Sequence, residues 1–98
     1  MAAYFIVDVD IQDPKSYEEY RKGVPATVAK HGGKFLVRGG PYTRLEGDWA
    51  PKRLVVLEFP SVEQARRWYD SADYRELKAL RMKTAKTQVV LVEGAENA

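Results

Sequence analysis

The sequence predicts an α+β domain of the ferredoxin-like kind, with element order βαββαβ, a four-stranded antiparallel sheet and both helices on one face of that sheet. Two patterns carry the prediction. Four short stretches alternate apolar and polar residues, and two longer stretches between them repeat apolar residues at helical spacing. A third observation, an apolar character on the sheet face that the helices leave bare, predicts that two copies close face to face into a barrel.

Taken in order, Tyr4 to Ile11 sets Phe5, Val7, Val9 and Ile11 on one side and Tyr4, Ile6, Asp8 and Asp10 on the other, the period of a strand. Asp13 followed by Pro14 marks a helix start, a capping carboxylate before a proline suited to the first helical position. The stripe Tyr17, Tyr20, Val24, Val28 continues that helix, and Gly32-Gly33 ends it. Pro25 is expected to kink it by removing the bond to the Arg21 carbonyl.

Lys34 to Arg38 is the second strand, with Phe35 and Val37 expected toward the helices and Leu36 and Arg38 away from them. Gly39-Gly40-Pro41 breaks it. Tyr42 to Glu46 is expected to resume the strand, making Gly47 to Pro51, with Trp49, the tip of a long hairpin. Arg53 to Phe59 is the third strand, and Ser61-Val62-Glu63-Gln64 a capping box opening a helix with Ala65, Trp68 and Tyr69. Ser71-Ala72-Asp73 restarts the helix, and Tyr74, Leu77, Leu80, Arg81 and Thr84 follow its stripe. Gln88 to Glu93 supplies the fourth strand, and the tail Glu96-Asn97-Ala98 reads as frayed.

Composition bounds function more than it names it. Ninety-eight residues enclose one core, so residues 1–98 form a single domain, and so small a domain gains much from association. The absence of cysteine excludes a disulfide framework, a thiolate metal site and a cysteine nucleophile. Asp8 and Asp10 interrupt the N-terminal apolar run, so neither a signal peptide nor a membrane span is expected and the chain reads as cytoplasmic. A net charge of +2 argues against a nucleic-acid partner, and the basic run Arg75, Lys78, Arg81, Lys83, Lys86 reads as a solvated helix face.

The partner expected instead is a second copy of the chain. Ile6, Leu36, Leu54 and Val56 share the bare sheet face with Tyr4, Asp8, Arg38 and Glu58, a mixed surface that a second sheet would cover. Each subunit would then keep a small-molecule-sized cleft.

The segments Gly32 to Gly40 (GGKFLVRGG), Phe59-Pro60-Ser61 and Ser71 to Leu77 running on to Arg81 resemble, in that order and spacing, the bacterial domain-of-unknown-function family numbered 1330. The likeness spans Tyr4 to Gly94. The family is similar in fold to the dimeric α+β barrel superfamily, which includes cofactor-independent monooxygenases, small isomerases, haem-degrading enzymes and stress-response proteins. The resemblance implies a dimer and a cleft without transferring an activity.

His31, the sole histidine, is either a donor favoured by the helix C-terminus or a general acid or base at the mouth of the cleft, with haem ligation a remote third reading. Arg38 is either part of an ion-pair cluster with Asp8 and Glu58 or the ligand of a substrate carboxylate or enolate while one of those carboxylates takes a proton. His31 and Arg38 are therefore the catalytic candidates. Trp49, Trp68, Tyr69 and Tyr74 are candidates to line a pocket for a flat ligand, with core packing as the competing account. Asp8 and Asp10 lack further ligands, so no metal is assigned, and no cofactor is called for. Ser71 is a capping residue, and Gly39-Gly40 precedes no helix and is no phosphate loop. A cofactor-free enzyme acting on a small organic acid or aromatic and a non-catalytic binding or stress-response module both remain open.

Overall fold

The computed structural model describes residues 1–95; the C-terminal tail expectation lies outside them. The elements run β1 (Ala3–Ile11), α1 (Pro14–Lys30), β2 (Lys34–Arg38), β3 (Leu54–Phe59), α2 (Val62–Tyr69), α3 (Ala72–Thr84) and β4 (Ala85–Glu93). The strands form one antiparallel sheet in the order β2-β3-β1-β4, the ferredoxin-like arrangement. Phe5, Val7, Val9, Leu57 and Phe59 on one sheet face meet Tyr17, Tyr20, Val24, Val28, Trp68 and Tyr74 from the helices, and these residues are the core. The shortest dimension of the chain is 16 Å, the depth of one sheet and one helical layer. No helix among the described residues is long and apolar enough to cross a membrane.

The caps follow the sequence closely. The Asp13 carboxylate accepts from the Ser16 amide at 3.2 Å, and Pro14 occupies the first turn. Gly32, at φ 81°, takes the left-handed conformation that ends α1. Ser61 Oγ accepts from the Gln64 amide at 3.1 Å, but the box is half closed, because the Gln64 side chain donates to the His31 carbonyl instead, at 3.2 Å. Ser71 Oγ accepts from the Tyr74 amide and donates to the Trp68 carbonyl, joining the end of α2 to the start of α3. α3 runs directly into β4, which begins at Ala85, three residues before the expected start at Gln88.

Two expectations are corrected. Residues 42–46 do not resume β2; the chain from Gly39 to Arg53 is an irregular loop, fully exposed from Gly40 to Ala50. It is pinned at its two ends by the Gly39 amide on the Leu54 carbonyl (2.7 Å) and the Lys52 amide on the Asp8 carboxylate (2.9 Å), and between them its exposed backbone is open to water.

The second correction decides the site. β2 carries a bulge: Phe35 pairs with Leu57 and Val37 with Val56, so Leu36 is an extra residue. In a regular register that paired Leu36 with Val56, Val37 would oppose Val55 and face the helices, as expected. With the bulge Arg38 opposes Val55 and turns to the helix side, while Leu36 and Val37 are both exposed on the open face. Helix α1 fixes the new position. Pro25 has no N–H for the Arg21 carbonyl, α1 continues past it uninterrupted, and the Arg38 guanidinium donates to that carbonyl at 2.6 Å.

Candidate functional site: a cleft between sheet and helices

The layer between the sheet and the helices is incompletely filled. A cleft of about 40 Å³ lies there, walled by Phe5, Val7 and Val55 from the sheet and by Tyr20, Trp68 and Tyr74 from the helices. A wider cavity of about 270 Å³ adjoins it between α2 and β4 and shares Phe5, Tyr69 and Val89 with it. The Tyr69 ring therefore stands between the two. It stacks on Phe5 with centroids 5.7 Å apart and is held from outside by the Lys78 ammonium, 4.2 Å from its centroid.

Among the described residues every charged group in the inner cleft is a cation: Arg21, Arg38, Arg53 and Arg81 line it, and no aspartate, glutamate or histidine does. Arg21 is paired with Glu18 outside, and Arg38 is spent in part on the Arg21 carbonyl. Arg81 is only 4% exposed, and one of its terminal nitrogens donates to the Tyr74 hydroxyl at 3.1 Å. Its Nε, and the Nε of Arg53, are buried and have no hydrogen-bond partner among the described residues. Neither arginine has a carboxylate within ion-pair distance among those residues.

Three phenols besides Tyr69 complete the polar lining. The Tyr20 and Tyr74 hydroxyls share a 2.7 Å hydrogen bond, which uses one of their two protons. Burial pushes the Tyr20 phenol far up from its ordinary value of 10.0, and Tyr74 adds to the effect. Burial raises Tyr74 against the pull of Arg81, and raises Tyr17 against Arg53 and Arg81. All three are neutral phenols near neutral pH. Burial works against the charge of Arg81, but Tyr74 first, then Tyr69 and Tyr20, outweigh it and its pKa is raised, so the guanidinium stays protonated.

The structure distributes the sequence-predicted residues between two faces. Arg38, Trp68, Tyr69 and Tyr74 line the cleft. Asp8, Glu58 and Trp49 are brought elsewhere: Glu58 pairs with Lys34 at 3.2 Å, and Asp8 receives the Trp49 indole N–H at 3.4 Å together with the Lys52 amide. The expected Arg38–Asp8–Glu58 cluster therefore does not form, because the bulge moves Arg38 through the sheet. His31 caps the end of α1, with Nε2 3.3 Å from the Asp73 carboxylate, and lines neither cavity. Lys30 reaches the same carboxylate at 3.0 Å, and these two contacts, Lys30 first, hold Asp73 below the usual carboxylate range. His31 and Arg38 thus serve different places.

Tyr17, Tyr20, Arg53 and Arg81 are cleft residues that the sequence reading did not single out. Arg81, expected with its basic run on a solvated helix face, is instead buried; the contrary signal was its place seven residues after Tyr74 on the apolar stripe of α3.

The chain belongs to the domain-of-unknown-function family numbered 1330, whose model matches residues 2–95. Solved structures place the same fold in proteins of distant sequence. A protein of unknown function from Rhodopseudomonas palustris superposes with a TM-score of 0.76 at 17% identity, over 97% of this chain and 83% of that one. SnoaB, a cofactor-independent oxygenase from Streptomyces nogalater, superposes with a TM-score of 0.65 at 12% identity, over 97% and 94%. A conserved protein from Methanosarcina mazei gives 0.57 at 17% identity, over 97% and 95%. At these identities the likeness is one of fold. No curated protein matches the sequence.

Proposed function

We propose that this chain binds a small organic acid or small aromatic in the cleft between its sheet and helices, as one half of a homodimer. The observation that carries the reading is a cleft with aromatic walls and buried, unpartnered hydrogen-bond donors, the combination of apolar bulk and a few fixed polar groups that small-molecule sites share. Arg38 keeps its assigned place as a ligand for the bound molecule, and Trp68, Tyr69 and Tyr74 as its walls. His31 is given the lesser role of tying α1 to α3 through Asp73.

Cofactor-free oxidation of the bound molecule is the chemistry this reading favours, supported by the fold shared with SnoaB. The substrate would then itself be the reductant and dioxygen the oxidant, and the protein's part would be to hold negative charge as it develops. A second reading, binding without catalysis, is favoured by the inner cleft holding no carboxylate or imidazole among the described residues to take a proton.

A thermal-shift screen of small carboxylates and phenols tests the cleft, with stabilisation of the natural protein by at least one of them expected. Silence from every compound would remove the reading. Oxygen uptake by the protein with a stabilising phenol and no added cofactor would decide for catalysis, and binding without uptake for the second reading.

A further inference from the structure

The polar lining of the inner cleft is rich in donors, and among the described residues its side-chain acceptors are all phenol oxygens, with no carboxylate. The Nε groups of Arg53 and Arg81 are buried and unpartnered among the described residues, and Arg81 is 96% withdrawn from solvent with no carboxylate beside it. The Tyr20–Tyr74 pair adds one more. Arg81 donates to the Tyr74 oxygen, the two phenols share a single hydrogen bond, and one O–H of the pair is left over whichever of them donates. A buried guanidinium without a counter-charge is costly to a fold, and a buried donor without an acceptor adds to that cost.

The geometry points to an anion receptor: the inner cleft holds the ionised group of a carboxylic acid, with Arg81 and Arg53 as its charged ligands and the spare phenol O–H of Tyr20 or Tyr74 as a neutral third. The inference rests on the cleft being the ligand site, and narrows that reading to a substrate that arrives already ionised. At about 40 Å³ the inner space suits an acid group better than a whole molecule. The apolar body extends past Tyr69 toward the wider cavity of about 270 Å³, where Phe5, Val89 and Leu91 supply the apolar part of the walls beside Arg66 and Asp70. Charge-assisted bonds from planar guanidinium groups suit the two oxygens of a carboxylate, and the inner cleft has no anionic residue among the described residues to take that place.

The experiment compares benzoate with benzamide, its neutral isostere, at pH 7 by calorimetry on the natural protein. It then repeats the benzoate titration on Arg81→Met and Arg53→Met. Benzoate is expected to bind about tenfold or more tightly than benzamide, and each substitution to remove that preference. The second readout is the melting temperature without ligand. Arg81→Met should leave it unchanged or raise it, because an apolar chain of similar length replaces an unpaired buried charge. A structural arginine would do the reverse. Benzamide binding as well as benzoate overturns the inference while leaving the cleft reading standing, and so does a benzoate affinity that neither substitution alters. If neither compound binds, the inference falls and the cleft reading is judged separately by its own wider screen. Arg53→Met is the safeguard should Arg81→Met fold poorly, since Arg53 is only half-buried and lies just before β3.

Discussion

Arg38 owes its position to a residue thirteen places earlier in the chain. Pro25 leaves the Arg21 carbonyl without its helical partner, and the Arg38 guanidinium takes that place at 2.6 Å. The link gives a double-mutant test. Arg38→Met in the natural protein should cost about 1 kcal/mol, the ordinary net value of one hydrogen bond. Pro25→Ala restores an N–H for the same carbonyl and should itself stabilise the helix. In that background the cost of Arg38→Met should fall to less than half, since the carbonyl is then satisfied within α1. Equal costs in the two backgrounds, read from urea denaturation, would show that Pro25 and Arg38 act independently. The sequence showed the orphaned carbonyl but not its new partner, because that partner comes from another element. His31 illustrates the converse: its place at the end of α1 was legible, whereas the Asp73 carboxylate that meets it lies 42 residues away.

The elements themselves were written locally, and so were mostly legible. Alternation marked β1, the Asp13-Pro14 and Ser61 signals marked two helix starts, and Ser71 marked the break between α2 and α3. The bulge in β2 was not legible, because an extra residue exists only relative to a partner strand, and Lys34 to Arg38 alternates well enough without one. It follows that Leu36 is dispensable to the register. With Leu36 deleted, Phe35, Val37 and Arg38 could pair in regular succession with the same Leu57, Val56 and Val55, so Arg38 should remain on the helix side. The deletion variant should fold, with a loss well short of the about 2–5 kcal/mol that emptying a core position costs. A structure of the variant with Arg38 on the open face, or a chain that no longer folds, would contradict this account of the bulge. Residues 42–46 were misjudged for a related reason: their register would require a β3 extending before Leu54, and the chain there turns instead to pin its loop on Asp8.

At the scale of the whole molecule the open question is what covers the sheet. The helices occupy one face, and the other presents Ile6 at 37%, Val92 at 45% and Val90 at 57% exposure. Ile6 pairs with Val90 and with Val56, and Tyr4 with Val92, so these side chains form a continuous apolar strip across three strands. A strip of that kind on a slab one sheet and one helical layer deep is large enough to take a partner, and under the proposed dimer a second sheet of the same shape would cover it through a twofold axis. The expected result is a dimer mass, twice 11.1 kDa, in light scattering at micromolar concentration. Ile6→Lys would bury two like charges near that axis and should return the monomer mass. Because Ile6 points away from the core, the monomer should keep the natural far-ultraviolet circular dichroism, which separates a broken interface from a broken fold. A monomer mass for the natural protein, or a dimer mass unchanged in Ile6→Lys, would mean that this face is not the interface and that the exposed strip has another cover.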